Sequence, residues 1–201
     1  MTVSEMQKIV ETFSRLSIVS KEHTHADVAS YKEWADLVKS QLSLPCVKSL
    51  VLKPKGVDSL IFVAASESSQ IPINPLAKSL GFKEARMAAD DVIESSLGLG
   101  KNDGTQFICI LFINQLVTPF ALASAKDINA FKVVVDSNLV ADSSAQLAFR
   151  AYSKTFTISA GDLIKFFEKE NIPHQVVDFS ALAAPAPAAK PVKQEKKAEY
   201  V

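Results

Sequence analysis

Apolar residues in the N-terminal part of the chain fall at helical spacing. Met6, Ile9, Val10, Phe13 and Leu16 recur at intervals of three and four, one stripe on a helix. Thr2-Val3-Ser4-Glu5 supplies a capping box to open it. An extended stretch through His23 and His25 follows, and then a second capping box, Ser30 with Glu33, starts a helix whose apolar stripe is Trp34, Leu37, Val38 and Leu42. The period changes at Pro45. Val47 to Lys53 reads as a strand, Pro54-Lys55-Gly56 as a turn, and Ser59 to Ala65 as a nearly continuous apolar strand buried on both faces. Asn74 and Pro75 read as N-cap and first-turn residues of a short helix stopped by Gly81, and another runs from about Asp90 to Leu97 before Gly98.

Beyond the loop Gly98 to Gly104 the pattern is rich in strands: Phe107 to Ile113, Phe120 to Ala123, Phe131 to Val135 and Leu147 to Tyr152. Ser159-Ala160-Gly161-Asp162 is a third capping box, leading a helix with Leu163, Ile164 and Phe167. Asn171-Ile172-Pro173 ends it, and His174 to Phe179 is a last strand. There is no internal repeat. These elements predict an α+β domain, a mixed β-sheet core with peripheral helices. From about Ser180 the composition turns to Ala-Pro alternation and then to Lys193-Gln194-Glu195-Lys196-Lys197. Such a segment buries too little apolar surface to order itself. Residues 180–201 are therefore expected to be a disordered tail or a semi-rigid linker to a larger body.

Composition narrows the function classes. The 201 residues are 48% hydrophobic and carry a formal net charge of zero, so no global field draws the protein to nucleic acid and any RNA contact must be local. Two cysteines, Cys46 and Cys109, form neither a disulfide framework nor a zinc spacing, and are expected to act as small hydrophobes. The start of the chain has no signal architecture and no apolar run is long enough for a membrane span. A reducing cytoplasm is the expected location, with no membrane partner. His23-Thr24-His25 has no third ligand nearby, and no Gly-x-Ser-x-Gly, phosphate-binding loop, dinucleotide fingerprint or Cys-x-x-Cys is present. No metal or cofactor is expected.

The candidate chemistry is sparse. Lys48 begins an apolar strand, where a lysine either snorkels to solvent or holds an anion. Lys53 and Lys55 flank the following turn, as solvated turn lysines or as phosphate contacts. Val117-Thr118-Pro119-Phe120-Ala121-Leu122 is a loop fixed by a proline, and Arg150 stands in Phe149-Arg150-Ala151-Tyr152. An arginine stays charged and cannot shuttle a proton near neutral pH.

Lys48-Ser49-Leu50-Val51-Leu52-Lys53 and Val117-Thr118-Pro119-Phe120-Ala121-Leu122 together resemble the signature of the YbaK-type editing domains, the deacylases that remove wrong amino acids from tRNA(Pro). The likeness is greatest to those acting on Ala-tRNA(Pro), including versions fused to the front of prolyl-tRNA synthetases. It covers about residues 18–179, leaving 1–17 as a helical extension of a domain 1–179. The resemblance implies a deacylase acting on mischarged tRNA(Pro), alanine or else cysteine, attached to or associated with a prolyl-tRNA synthetase. It implies that Lys48 contacts the terminal nucleotide and its ester, with Ser49 beside it, where Ala-specific relatives often carry Asn. It also implies a Gly-x-x-x-Pro loop whose backbone N–H groups face the scissile carbonyl. Here Gln115 stands four residues before Pro119. The pattern fits better when Gly104-Thr105 joins directly to Val117-Thr118-Pro119. Residues 106–116, eleven in number, then form an insertion, either an extra strand or sequence foreign to the fold such as a translated intron. Arg150-Ala151 replaces the family's His-Pro pair. These departures carry the rival expectation, a catalytically impaired module that binds tRNA or a partner protein within a synthetase assembly.

Overall fold

The computed structural model describes residues 3–26, 28, 30–97, 117–151 and 154–182. Thr2, the Gly98 stop, Gly104, Thr105, the expected strand Phe107–Ile113 with Cys109, Tyr152 and the tail from 183 onward lie outside the described residues. The helices are α1 (Val3–Arg15), α2 (Tyr31–Leu42), α3 (Ile73–Ser79), α4 (Asp90–Leu97), α5 (Ser137–Val140), α6 (Ala160–Lys169) and α7 (Phe179–Leu182). The strands are β1 (Lys21–Thr24), β2 (Val47–Pro54), β3 (Leu60–Ser66), β4 (Ala85–Met87), β5 (Phe131–Asp136), β6 (Gln146–Ala151), β7 (Lys154–Ser159) and β8 (His174–Val177).

Among the described residues the strands make two sheets, one in the order β1-β7-β6 and one in the order β4-β2-β3-β5-β8. The smaller is antiparallel. The larger is mixed: β2 runs antiparallel to β3 and β4, while β3, β5 and β8 are parallel. Its central strand β3 is buried at every position from Leu60 to Ala65, as its unbroken apolar run predicts for a strand covered on both faces.

Strand alternation divides the interior into three. Val47, Val51, Phe62, Ala64, Val133 and Val135 face the principal core, which also receives Phe149 and Phe156 of the smaller sheet. Helices α1, α4 and α6 close it through Phe13, Ile93 and Phe166. The opposite face of the larger sheet packs Leu52, Ile61, Val63 and Val134 under α3 and Phe179. Helix α2 lays Trp34, Ala35 and Val38 over Cys46 and Ala148, where Trp34 Nε1 donates to Thr155 Oγ1 at 2.8 Å. The sheets meet under α2 at a single parallel bridge, Cys46 with Ala148.

Two capping boxes form as expected: Ser30 Oγ accepts from Glu33 N at 3.2 Å and Ser159 Oγ from Asp162 N at 3.0 Å. Gly81 ends α3 with φ +86, the left-handed conformation that glycine adopts without a Cβ clash. Other expectations need correction. Asn74 is not the N-cap of α3. Pro72 takes that position without a side-chain bond, and Asn74 Oδ1 instead accepts from Ala85 N at 3.4 Å, tying α3 to β4. Phe120–Ala123 is not a strand but part of a 3-10 helix, Pro119–Ser124. Proline cannot donate to a ladder, and Phe120, Ala121 and Leu122 are buried in succession rather than alternately. The last strand stops at Val177, and Phe179 opens α7. The edge strand β4 and strand β7, Lys154–Ser159, are not foreseen by the apolar pattern. In β7 Thr155 and Thr157 are buried along with Phe156 and Ile158, which hides the alternation.

Phe13 is 2% exposed and meets the rings of Phe120 and Phe156 edge-on, at 4.7 and 5.9 Å between centroids. Phe13→Ala is expected to destabilise the protein by about 3–5 kcal/mol in denaturant unfolding. Val19→Ala, at a position 78% exposed, should stay within about 0.5 kcal/mol of wild type.

Candidate active site

The bridge between Cys46, just ahead of β2, and Ala148 of β6 is isolated; its register is held by Ala148 N donating to Pro45 O at 2.9 Å. Past it the two strands make no ladder with each other, and a recess lies between them. Val47 and Ser49 line it from β2, Phe149 and Arg150 from β6, and Val117, Thr118 and Pro119 close it. Two stretches some seventy residues apart in sequence thus converge. Of the sequence-predicted site residues, Ser49, Val117, Thr118, Pro119 and Arg150 are brought together.

Local physics explains why the 117–119 turn sits where it does. Thr118 is extended (φ −91, ψ 156) and Pro119 opens the 3-10 helix, a position where the missing N–H is not needed. Ala121 N donates to Thr118 O at 3.1 Å. Phe120 then enters the principal core, its ring centroid 4.7 Å from Phe13, 5.1 Å from Phe149 and 5.1 Å from Phe166. Space for water-sized bodies in the recess is about 10 Å³. Its polar lining residues, Ser49, Thr118 and Arg150, are all buried. The hydroxyl Oγ1 of Thr118 is buried with no hydrogen-bond partner. Arg150 Nη2 donates to Val28 O at 2.6 Å, drawing the segment before α2 against the seam.

Lys48 does not line this recess. Alternation along β2 sends Val47, Ser49 and Val51 to one face and Lys48, Leu50 and Leu52 to the other. The Lys48 ammonium donates to Glu67 O at 3.0 Å and also to Ser69 O, so it neither snorkels freely nor waits unengaged. Burial lowers its pKa below the usual lysine value, against the opposing pull of the Glu67 and Asp136 carboxylates. The fully buried Asp136 accepts from Ser66 N at 3.3 Å and from Asn138 N at 3.0 Å, a turn-forming structural role. Lys39 reaches the Glu67 carboxylate at 2.8 Å. The C-terminal end of β3 is therefore clamped by polar contacts from β2, β5 and α2. Lys53 and Lys55 lie toward the far end of β2, about 13 Å or more from Ser49 at about 3.3 Å per residue. They pair with Asp58 at 3.6 Å and Glu84 at 2.7 Å.

Val47 and Phe149 complete the lining and are not singled out by the sequence. Their signal was positional only: each neighbours a residue that was singled out. Among the described residues no lining side chain titrates near neutrality, so this lining can orient groups and donate hydrogen bonds but cannot carry a proton. Nearby, burial and the Glu67 carboxylate push the Cys46 thiol up to about 12, which keeps it protonated and non-nucleophilic. Burial likewise raises the Tyr31 hydroxyl. Among the described residues no group of three His, Cys, Asp or Glu side chains gathers as a metal site, and no described helix is long and apolar enough to cross a membrane.

Known proteins resemble this chain in sequence and in fold. A curated protein of Schizosaccharomyces pombe (strain 972 / ATCC 24843), provisionally named a proline–tRNA ligase, is 31% identical over 184 residues. The match takes in 87% of this chain and 24% of that protein, so the chain spans about a quarter of its relative. Among solved structures, one provisionally described as a trans-editing enzyme for prolyl tRNA synthetase superposes with a TM-score of 0.60 at 15% identity, covering 89% of this chain and 97% of that one. The hypothetical protein APE2540 superposes at 0.58, also at 15% identity, over 80% and 94% of the two chains. At such identities these two show a shared fold, the α+β architecture of mixed sheet and peripheral helices. Residues 25–166, which hold β2, the 117–119 turn and β6, match the aminoacyl-tRNA editing domain, and the chain belongs to that family.

Proposed function

We propose that this domain hydrolyses the ester bond of tRNA(Pro) mischarged with alanine and spares Pro-tRNA(Pro). The observation that carries the reading is the convergence of Ser49, Val117, Thr118, Pro119 and Arg150 on one polar recess in a chain of the editing family. The proline relationship is supported by the names of the yeast relative and of the trans-editing neighbour. Alanine follows from physical chemistry. A synthetic site sized for proline excludes a smaller amino acid by only about 1–3 kcal/mol per methylene, so a second, smaller site must clear the error. Cysteine is the nearest competitor for that role.

In this reading the scissile carbonyl lies over the recess, with the backbone N–H groups of Val117 and Thr118 turned to the developing oxyanion. Lys48 acts from the adjoining end of the sheet. An ammonium has three donors, and two go to the carbonyls of Glu67 and Ser69. The cation is thereby held on the face of β2 opposite the recess, and in this reading it meets the terminal adenosine there rather than the ester over the recess. The substrate's own ribose hydroxyl and backbone groups assist the water, since no lining side chain is a base. The rival reading is a non-catalytic tRNA- or protein-binding module. It is favoured by Arg150, which stands where Ala-specific relatives carry histidine and is engaged with Val28 O.

Deacylation assays with Ala-, Cys- and Pro-tRNA(Pro) separate these readings. The wild type is expected to hydrolyse the alanyl ester and spare the prolyl one, and Lys48→Ala to lose at least about ten-fold in rate, about 1.4 kcal/mol. Lys53→Ala and Lys55→Ala, which lie away from the recess, should leave kcat within about two-fold and raise KM through weaker tRNA binding. No hydrolysis of any ester would establish the binding module, and preference for the cysteinyl ester would reassign the substrate.

Attachment to a synthetase body is part of the same proposal, since a tether supplies an effective concentration near millimolar for a short flexible link. With zero net charge, the isolated domain is expected to bind tRNA weakly and with clear salt dependence, carried by Lys48, Lys53, Lys55 and Arg150. Fluorescence titration at two salt concentrations tests this. Tight binding indifferent to salt would reveal a different recognition surface.

A further inference from the structure

Thr118 occupies the N-cap of the 3-10 helix Pro119–Ser124, yet its side chain makes no capping bond. A threonine at such a position ordinarily offers its hydroxyl to a backbone N–H of the first turn, and losing that bond costs about 1 kcal/mol. Here Oγ1 is buried and without a hydrogen-bond partner, in a residue only 4% exposed. A buried hydroxyl left unmatched costs about 1–3 kcal/mol more. The hydroxyl thus serves no bond of the fold, and Thr118 lines the recess with the buried polar residues Ser49 and Arg150.

The size of the recess says what such a hydroxyl would meet. Its space for water-sized bodies, about 10 Å³, is that of a single water, and a buried water needs roughly two to four polar partners. Thr118, Ser49 and the Arg150 guanidinium supply that number, while Val47, Val117, Pro119 and Phe149 form the apolar remainder. An alanine methyl in the same space would leave the Thr118 hydroxyl unsatisfied, so the polar lining favours water over the amino-acid side chain.

We propose that the recess is a single-water site, and that the water held by Thr118 Oγ1, Ser49 and Arg150 is the nucleophile of the ester hydrolysis. This rests on the deacylase reading above. In the step, the water oxygen forms a bond to the ester carbonyl carbon and the bond from that carbon to the ribose oxygen breaks. One water proton goes to the ribose oxygen and the other to solvent, leaving the amino acid as its carboxylate. Thr118 orients the water through a hydrogen bond and ends the reaction with its own proton count unchanged. The site thereby assigns to this chain's side chains a positioning role otherwise left to the substrate.

Two measurements on the whole chain test the proposal. Water-to-protein NOE spectroscopy is expected to show a long-lived water at the Thr118 γ-methyl in the wild type. The signal should vanish in Thr118→Val, whose methyls occupy the same place. In deacylation of Ala-tRNA(Pro), Thr118→Val should lower kcat by about 100-fold with KM unchanged, and Thr118→Ser should restore most of it. The melting temperature of Thr118→Val should not fall, because the hydroxyl makes no bond within the fold. Absence of the NOE, wild-type kcat in Thr118→Val, or a change confined to KM would overturn the water site. A wild type that hydrolyses no ester yet shows the NOE, lost in Thr118→Val, would overturn the deacylase reading and leave the water site standing.

Discussion

The burial of Phe120 is the constraint on which the site depends. Its ring is surrounded by Phe13 from α1, Phe149 from β6 and Phe166 from α6. Pro119 sets the chain direction immediately before it, so seating that one ring also seats Thr118 against β2 and β6. Aromatic contacts of this kind contribute beyond their area and have preferred geometry, which makes the position of the turn specific as well as stable. Phe13 and Phe166 lie far from each other in sequence, and helix α1 precedes the segment matched to the family. The extension is thus part of the site's support rather than an appendage.

A second constraint, polar this time, holds the other side of β2. The end of β3 is fixed by the Asp136 carboxylate on Ser66 N, by the Lys48 ammonium on the carbonyls of Glu67 and Ser69, and by Lys39 on the Glu67 carboxylate. Hydrogen bonds to ionised groups are stronger than neutral ones, and burial shields those of Asp136 and Lys48 from the screening that the exposed Lys39–Glu67 pair meets. The seam between the sheets is therefore bordered by an aromatic cluster on one face of β2 and a charged network on the other. Between them the strands β2 and β6 can separate without either sheet losing its register.

The chemistry follows from what such a site lacks and what it holds. Its lining offers hydroxyls and a guanidinium but no group able to take a proton near neutral pH. An ester is already activated toward water, and a site that orients water and stabilises a developing oxyanion can accelerate its hydrolysis without a general base. The unmatched buried hydroxyl of Thr118 marks a place in the recess where local stability was yielded.

The sequence by itself determined the longer helices and most of the strands. The capping boxes at Ser30 and Ser159, the left-handed stop at Gly81 and the apolar run of β3 are local patterns, legible because their causes lie within a few residues. It also singled out Ser49, Thr118, Pro119 and Arg150, through short motifs rather than through any visible pocket. Only tertiary structure decided how these residues meet. The 3-10 turn at Phe120 reads as a strand until its three aromatic neighbours are in place, and β7 is masked by threonines whose partners, such as Trp34, lie across the molecule. Lys48 and Ser49 are adjacent in sequence, yet strand alternation sends them to opposite faces, one into the loop clamp and the other into the recess. Separation along a strand is local and can be read. What each face meets depends on which distant element packs there, and that belongs to the assembled core alone.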